Sequence, residues 1–227
     1  MGPTARARLP RRLRTRAAAE GGFTLIELLI TMTILLIVVA SLSAVLVSAT
    51  RTEVDANKRF QAQEQARTGL TQLTRELHCA SAVTQTSGTS LTPGTAYNAI
   101  TATLPSSCAT SGGTTLYVTW CASPTTLTTG SHAALYRVTS TSAPSVSTPL
   151  DCNSAGKVKR ADYLTTSTPF CLPSTSVSCG TPAVFKPSTS LPMLHVTMPV
   201  NLNGVGSTIE SYNVVDDITL RNNGTHS

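Results

Sequence analysis

One uncharged stretch near the N-terminus constrains the fold of this chain more than any other feature of its sequence. The 20 residues from Leu28 to Val47 contain neither a charged side chain nor a proline. A helix rises 1.5 Å per residue, so this stretch would form a helix of about 30 Å, which matches the hydrocarbon thickness of a bilayer. The sequence therefore predicts one membrane-spanning helix.

Glu27 is the feature that a simple membrane helix does not explain. It is the only charged residue from Phe23 to Val47, and an acidic side chain at the centre of a membrane helix costs roughly 2.5–3.5 kcal/mol on insertion scales. A cleavable secretory signal has an apolar region of only about 7–15 residues, so it explains neither the length of the stretch nor its acid. An uncleaved signal anchor explains the length but leaves Glu27 without a role.

The positive charge of the chain is concentrated before this helix. Residues 1–22 contain six arginines and one acid, whereas the rest of the chain carries 11 Lys and Arg against 10 Asp and Glu. An excess of Lys and Arg beside a membrane helix places that side in the cytoplasm. We therefore expect a single-pass protein of the cytoplasmic membrane with its N-terminus inside. The charge is a topology signal and not a nucleic-acid-binding surface, so nucleic acid is not an expected partner.

The stretch from Gly22 to Leu29, GFTLIELL, resembles the processing motif of type IV prepilins and type II secretion pseudopilins. That motif has a glycine, then a hydrophobic residue that is usually phenylalanine, then a glutamate four residues later. It follows a basic leader and opens a long apolar helix, and all of these parts are present here in order. The resemblance implies that a prepilin peptidase cuts between Gly22 and Phe23 and methylates the new amino group.

The same resemblance implies a role for Glu27 in assembly. Cleavage creates a positive amine on Phe23, one helical turn before the carboxylate. In a filament, Glu27 of one subunit would face the amine of its neighbour, because either charge alone is costly in a dry environment and a pair costs less. The implied partners are the prepilin peptidase, other pilin or pseudopilin subunits, the membrane and an inner-membrane assembly platform.

The helix is predicted to continue beyond the membrane as far as His78. Residues 48–78 contain no proline and one glycine, and an apolar stripe recurs in them at helical spacing. The stripe consists of Ala66, Leu70, Leu73 and Leu77. The predicted fold class is α+β, a long N-terminal helix packed on a small antiparallel β-sheet head, as in pilins. The predicted segments are a cleaved leader at 1–22, a transmembrane and filament-core helix at 23–47, its amphipathic continuation at 48–80 and a disulfide-containing β head at 81–227.

Two observations favour a minor pilin or a pseudopilin over a major pilin. Many major pilins have a helix-bending proline in the apolar stretch, whereas this chain has none between Phe23 and Gly69. The segments Gly69–Val83 and Tyr212–Asn222 are also similar in style to minor pilins and J-type pseudopilins. An amphipathic helix and an edge strand are equally good interpretations of those two segments.

The remainder of the chain is rich in hydroxyl residues and has the patterns of short strands. Of the 120 residues from 81 to 200, 44 are Ser or Thr, which indicates a small β-rich layer with long loops. Asn203-Gly204 between two apolar runs predicts a hairpin turn. The loops at 140–149 and 173–182 are candidates for glycosylation. The predicted strands are Ala96–Leu104, Thr114–Cys121, Ala133–Thr139, Leu194–Val200 and Thr208–Leu220.

All six cysteines lie beyond the apolar helix, in the part of the chain that is expected to be exported. An even number of cysteines in an oxidising compartment indicates disulfides, although 15 pairings are open. Short loops close at the lowest entropic cost, which favours Cys108–Cys121 and Cys171–Cys179 and leaves Cys79 with Cys152.

No catalytic, metal-binding or cofactor-binding motif is present in the sequence, so we expect no enzyme activity and no cofactor. Lys157, Lys159 and Arg160 form the one basic cluster after the leader, and flanking aspartates favour a solvated turn over a DNA-binding patch. The sequence therefore predicts a structural minor pilin-like subunit of a type IV pilus or a related filament, at the cell surface or across the periplasm. The alternatives are a type II secretion pseudopilin, a non-polymerising signal-anchored adhesin and a DNA-uptake pilin.

Overall fold

A computed structural model of the chain describes residues 24–108, 114–180, 183–184, 191–207 and 211–221. The chain divides into an N-terminal unit, Met1–Thr52, and a C-terminal unit, Glu53–Ser227. One α-helix, α1 (Leu25–Cys79), contributes residues to both units. The absence of proline predicts this uninterrupted helix, and the structure confirms it.

The first hydrogen bonds of α1 are made by backbone amides to the carbonyl oxygen of Thr24, the residue before the helix. The amides of Glu27 and Leu28 donate to the carbonyl oxygen of Thr24 over 3.1 and 3.2 Å. Glu27 lies in the first turn and His78 in the last. The negative charge at the N-terminus of a helix interacts favourably with the helix dipole, as a protonated histidine does at the C-terminus.

The described residues of the C-terminal unit form a nine-stranded sheet whose strand pairs are all antiparallel. The strands are β1 (Ala82–Thr84), β2 (Ala96–Tyr97), β3 (Ala99–Leu104), β4 (Leu116–Ser123), β5 (Ala133–Ser140), β6 (Val158–Leu164), β7 (Phe170–Cys171), β8 (Met193–Val200) and β9 (Tyr212–Thr219). Their order is β1-β3-β4-β5-β6-β8-β7-β2, and β9 pairs with the other edge of β8. The α+β, pilin-like fold class predicted from sequence is confirmed.

Each of the five predicted strand segments overlaps a strand of the sheet. Strands β8 and β9 form the predicted hairpin, and Gly204 in its connection has a φ of +81°, a conformation that favours glycine. Residues 208–210, predicted as the start of the last strand, lie outside the described residues. The predicted solvated turn at the basic cluster is wrong, because Lys159 and Arg160 lie within β6.

Strand β6 was missed because its residues do not show the two-residue alternation that identifies a strand. Its formation depends on neighbours that are distant in sequence. Leu135 of β5 pairs with Ala161, and both side chains are fully buried. Helix α1 approaches β6 closely at Gly69, which has no side chain. A β-carbon added to Gly69 would lie 3.6 Å from the carbonyl oxygen of Arg160 in β6.

The apolar stripe of the helix packs on the sheet as predicted. Ala66, Leu73 and Leu77 are fully buried, and Leu70 packs against the same core. The residues of the sheet in this core include Ile100, Val118, Trp120, Leu135, Leu164, Phe170, Leu194 and Met198. The Ser- and Thr-rich composition is accommodated because the inward positions of the central strands remain apolar. A buried pair, Thr101 and Thr119, joins its hydroxyl groups across β3 and β4 at 2.6 Å.

Three disulfides link all six cysteines, and they correct the predicted pairing. Cys171–Cys179 is as predicted, but the other two are Cys79–Cys108 and Cys121–Cys152. Loop length alone was a poor guide because the sheet decides which cysteines meet. Cys121 lies on β4, and its Cα pairs with that of Tyr136 on β5. Cys152, in the segment that follows β5, forms the disulfide with Cys121.

Peptide mapping without reduction is expected to recover these three links. A protease digest of the oxidised full chain should yield cross-linked peptides for Cys79–Cys108, Cys121–Cys152 and Cys171–Cys179, each split by a reducing agent. The Cα distances of 6.2, 5.7 and 5.9 Å are all suitable for a disulfide. A Cys108–Cys121 peptide as the main product would contradict the pairing in the structure.

Candidate assembly site on the N-terminal helix

The N-terminal unit exposes a long apolar helical surface. The apolar part of α1 is long enough to cross a membrane, and none of it is buried. Leu25, Leu36 and Ile37 are 80, 68 and 70% exposed. Soluble monomers rarely expose contiguous apolar patches larger than a few hundred Å². By its length and composition this helix can cross a membrane, and its surface needs lipid or protein around it.

The hydroxyl groups within the apolar stretch are satisfied inside the helix itself. Thr31, Thr33, Ser41 and Ser43 each donate to a backbone carbonyl three or four residues earlier, over 2.8–2.9 Å. A hydroxyl left without a partner in hydrocarbon would carry a desolvation cost, and bonds of this kind remove it. These four polar residues are therefore compatible with an apolar environment.

Glu27 differs from these four residues. It is exposed, and among the described residues no hydrogen bond or ion pair joins its carboxylate to another group. The carboxylate is the one charge on the described apolar surface between Thr24 and Val47. An unpaired charge on a surface that must be covered requires a partner from another molecule or a position at the edge of the membrane. The predicted cleavage residues Gly22 and Phe23 lie outside the described residues.

One apolar helix with an acid in its first turn, followed by an antiparallel sheet, is the layout of a type IV pilin-like protein. The family model described as "Prokaryotic N-terminal methylation motif" matches residues 18–43. This match spans the predicted cleavage site, Glu27 and most of the apolar stretch. The chain therefore carries the N-terminal methylation motif, which supports the resemblance to type IV pilins and pseudopilins seen in its sequence. No curated protein and no solved structure gives a significant match.

A second polar site lies inside the C-terminal unit, where the helix meets the sheet. Glu76 of α1 is only 7% exposed. One of its oxygens accepts from Arg137 Nε at 2.9 Å and from Gln72 Nε2 at 3.1 Å, and the other accepts from Trp120 Nε1 at 2.8 Å. Both oxygens are therefore satisfied, as a buried carboxylate requires. The sequence shows Arg75 and Glu76 side by side near the helix end, but it does not indicate the partners of Glu76.

Two further contacts attach the helix to the last strand. Arg67 donates through its Nε to the Tyr212 hydroxyl at 2.9 Å, and its guanidinium lies 5.3 Å from the centre of that ring. The hydrogen bond with Tyr212 raises the pKa of Arg67 above its ordinary value. Thr74 donates to Asp216 at 3.0 Å. Asp216 therefore bonds the helix, whereas its neighbour Asp217 bonds His195.

His195 is held between two neighbours on the sheet. Its Nδ1 lies 2.7 Å from Asp217 Oδ1, and its Nε2 lies 2.8 Å from Thr197 Oγ1. The histidine is only 5% exposed, and bonds at both ring nitrogens satisfy it where it is. The arrangement was missed because it depends on the register of β8 and β9. Within the described residues, no group of three or more His, Cys, Asp or Glu could hold a metal ion.

The three residues of the basic cluster, Lys157, Lys159 and Arg160, contact different parts of the structure. Lys159 Nζ lies 2.6 Å from Asp162, and this hydrogen bond raises the pKa of the lysine. Lys157 lies 5.1 Å from the centre of the Tyr136 ring. The backbone and β-carbon of Arg160 lie against Gly69. Lys157 and Lys159 therefore each have a local partner, whereas Nε of Arg160 is buried and has no hydrogen-bond partner among the described residues.

Proposed function

We propose that this protein is a minor subunit of a type IV pilus or a related filament, made as a single-pass precursor and assembled after processing. The supporting observation is the exposed apolar helix, whose one carboxylate has no partner among the described residues, inside a match to the N-terminal methylation motif. In this proposal the peptidase cuts between Gly22 and Phe23, and residues 23–47 serve first as the membrane anchor and then as the filament core.

Glu27 has the central role in this proposal. In lipid the carboxylate lies near the start of the apolar segment, where the membrane surface can hydrate it. In a filament it would pair with the methylated amine of a neighbouring Phe23. A subunit docked in the wrong axial position would bury the charge without its partner, at a cost of several kcal/mol. The pair would therefore select the correct register of helix against helix.

The rest of the chain suits a subunit that works outside the cytoplasmic membrane. The arginine-rich leader favours a cytoplasmic N-terminus, and three disulfides suit an oxidising compartment. The proposed partners are the prepilin peptidase, other pilin-like subunits and an assembly platform in the inner membrane. As in the family, its role would be structural and not enzymatic.

The uninterrupted helix favours a minor subunit, and it also supports a second candidate, a type II secretion pseudopilin. Helix α1 has no proline between Leu25 and Cys79, whereas many major pilins have one. Deleting the gene separates the two functions. Loss of surface filaments with normal protein secretion supports the pilus, and loss of secretion without loss of filaments supports the pseudopilus.

The first test of the proposed function is the intact mass and N-terminal sequence of the protein from membranes of its host. We expect a chain that begins at Phe23 and is heavier by one methyl group. A chain that begins at Met1 or Gly2 would instead indicate a signal-anchored protein, such as an adhesin that does not polymerise. A chain that begins at Thr50, after the small-residue sequence Val47-Ser48-Ala49 that could act as a signal cleavage site, would indicate an ordinary secreted protein. Either result would overturn the proposal.

A further inference from the structure

A pocket of about 290 Å³ opens beside the buried Glu76 in the C-terminal unit. Its walls come from the end of α1, the end of β3, the start of β4 and the middle of β5. The apolar part consists of Leu104, Leu116 and the Cys79–Cys108 disulfide, and the polar part consists of Arg75, Glu76 and Arg137. The pocket therefore combines an apolar wall with two guanidinium groups.

The carboxylate of Glu76 accepts a hydrogen bond from only one nitrogen of Arg137 and from none of Arg75. Arg137 binds Glu76 through Nε alone, and within the described residues no protein acceptor is present for its two terminal nitrogens. Neither of these nitrogens is a buried atom without a partner, so each keeps some exposed surface within a side chain that is 15% exposed. Arg75 is exposed, and its guanidinium makes no hydrogen bond or ion pair with the described residues. Arg75 and Arg137 contribute two positive charges and Glu76 contributes one negative charge, so these three pocket residues have a net charge of +1.

We propose that this pocket binds a carboxylate that carries a small apolar group. Guanidinium groups with free terminal nitrogens suit a carboxylate, which they bind through paired, charge-assisted hydrogen bonds. The leucines and the disulfide would contact the apolar part of the ligand. A pocket at the lower end of the size range of ligand sites suits one side chain and one carboxylate. A C-terminal apolar residue of a peptide and a short free fatty acid both have this chemistry.

Equilibrium dialysis of the full chain in a non-ionic detergent tests the proposal. The probes are N-acetyl-leucine for a chain end, hexanoate for a free acid and N-acetyl-leucine amide as the uncharged control, each against micelles without protein. We expect protein-dependent retention of at least one acid and no retention of the amide. Retention of N-acetyl-leucine alone indicates a peptide terminus as the source, and retention of hexanoate alone indicates a free acid.

Arg75→Gln is the first variant, because it removes one guanidinium that has no other described role. Loss of one charge-assisted hydrogen-bonding group is expected to weaken binding by about ten-fold or more. Arg51→Gln, an exposed arginine of the same helix outside the pocket, is the matched control and should bind as the unmodified chain does. Arg137→Lys keeps the charge beside Glu76 but removes the planar pair of donors, and it should also weaken binding.

The single tryptophan of the chain gives a second readout at the site. Trp120 shares Glu76 with Arg137, so a ligand on Arg137 should change the tryptophan emission at the same concentration that gives half-maximal retention. Absence of retention for both acids up to millimolar concentration would overturn the proposal. Equal retention by the unmodified chain and by Arg75→Gln would also overturn it.

Discussion

Replacing Glu76 with alanine is expected to lower the free energy of unfolding of the C-terminal unit by about 3–5 kcal/mol. The substitution leaves the guanidinium of Arg137, whose side chain is only 15% exposed, without its counter-ion. It also leaves the indole N–H of Trp120 without an acceptor, in a side chain that is fully buried. Unpaired buried donors keep their full desolvation cost, and the missing side chain adds a cavity.

Urea unfolding of the full chain in detergent, followed by near-ultraviolet circular dichroism, measures this effect. Glu64→Ala is the control, because Glu64 is an exposed acid of the same helix, and surface substitutions usually change stability by no more than about 0.5 kcal/mol. Glu76→Gln keeps an acceptor and the side-chain volume, so it should fall between the two. A loss of less than about 1 kcal/mol in Glu76→Ala would show that water replaces the carboxylate.

Replacing Glu27 with alanine should leave membrane insertion intact and prevent most assembly. The helix loses only an exposed carboxylate that has no described partner, and the apolar stretch that follows it is unchanged. In the proposed filament, however, the amine of Phe23 would be buried without a counter-ion. A cost of several kcal/mol corresponds to at least a ten-fold fall in the assembled fraction. The measurement is the share of the subunit that co-sediments with filaments sheared from cells, relative to its amount in membranes.

Two further variants separate charge pairing from other effects of this substitution. Glu27→Gln keeps the shape of the side chain but not its charge, so it should fail to assemble in the same way. Glu53→Ala removes an exposed acid of the same helix beyond the apolar stretch and should assemble normally. Filaments that incorporate the glutamine variant as well as the unmodified subunit would show that pairing with the amine is not the role of Glu27.

The features that could be predicted from the sequence are those carried by contiguous residues. The membrane helix follows from Leu28 to Val47, and the helix face that packs on the sheet follows from the spacing of Ala66, Leu73 and Leu77. Helical period and hydropathy are local properties, so neighbouring residues determine them. The resemblance to pilins was also recognisable from local sequence, because the processing motif consists of residues close to Gly22.

The features that were missed or predicted incorrectly depend on residues far apart in the chain. Glu76 and Arg137 are 61 positions apart, and no sequence pattern indicates that they form an ion pair. Strand β6 forms because β5 pairs with it, although its own sequence alternates poorly. The entropy of loop closure favoured the wrong partner for Cys121, since it takes no account of the direction in which the strands run.

The sequence by itself thus determined the apolar helix, the processing motif and the α+β class, and it predicts a cytoplasmic N-terminus, because each depends on local composition and period. Only the tertiary structure decided the disulfide partners, the network around Glu76 and the arginine-lined pocket beside it. Those features require strand register and helix packing, which depend on contacts across the whole C-terminal unit. The physical reason is that burial pattern selects which face of an element points inward, whereas register selects which residues meet.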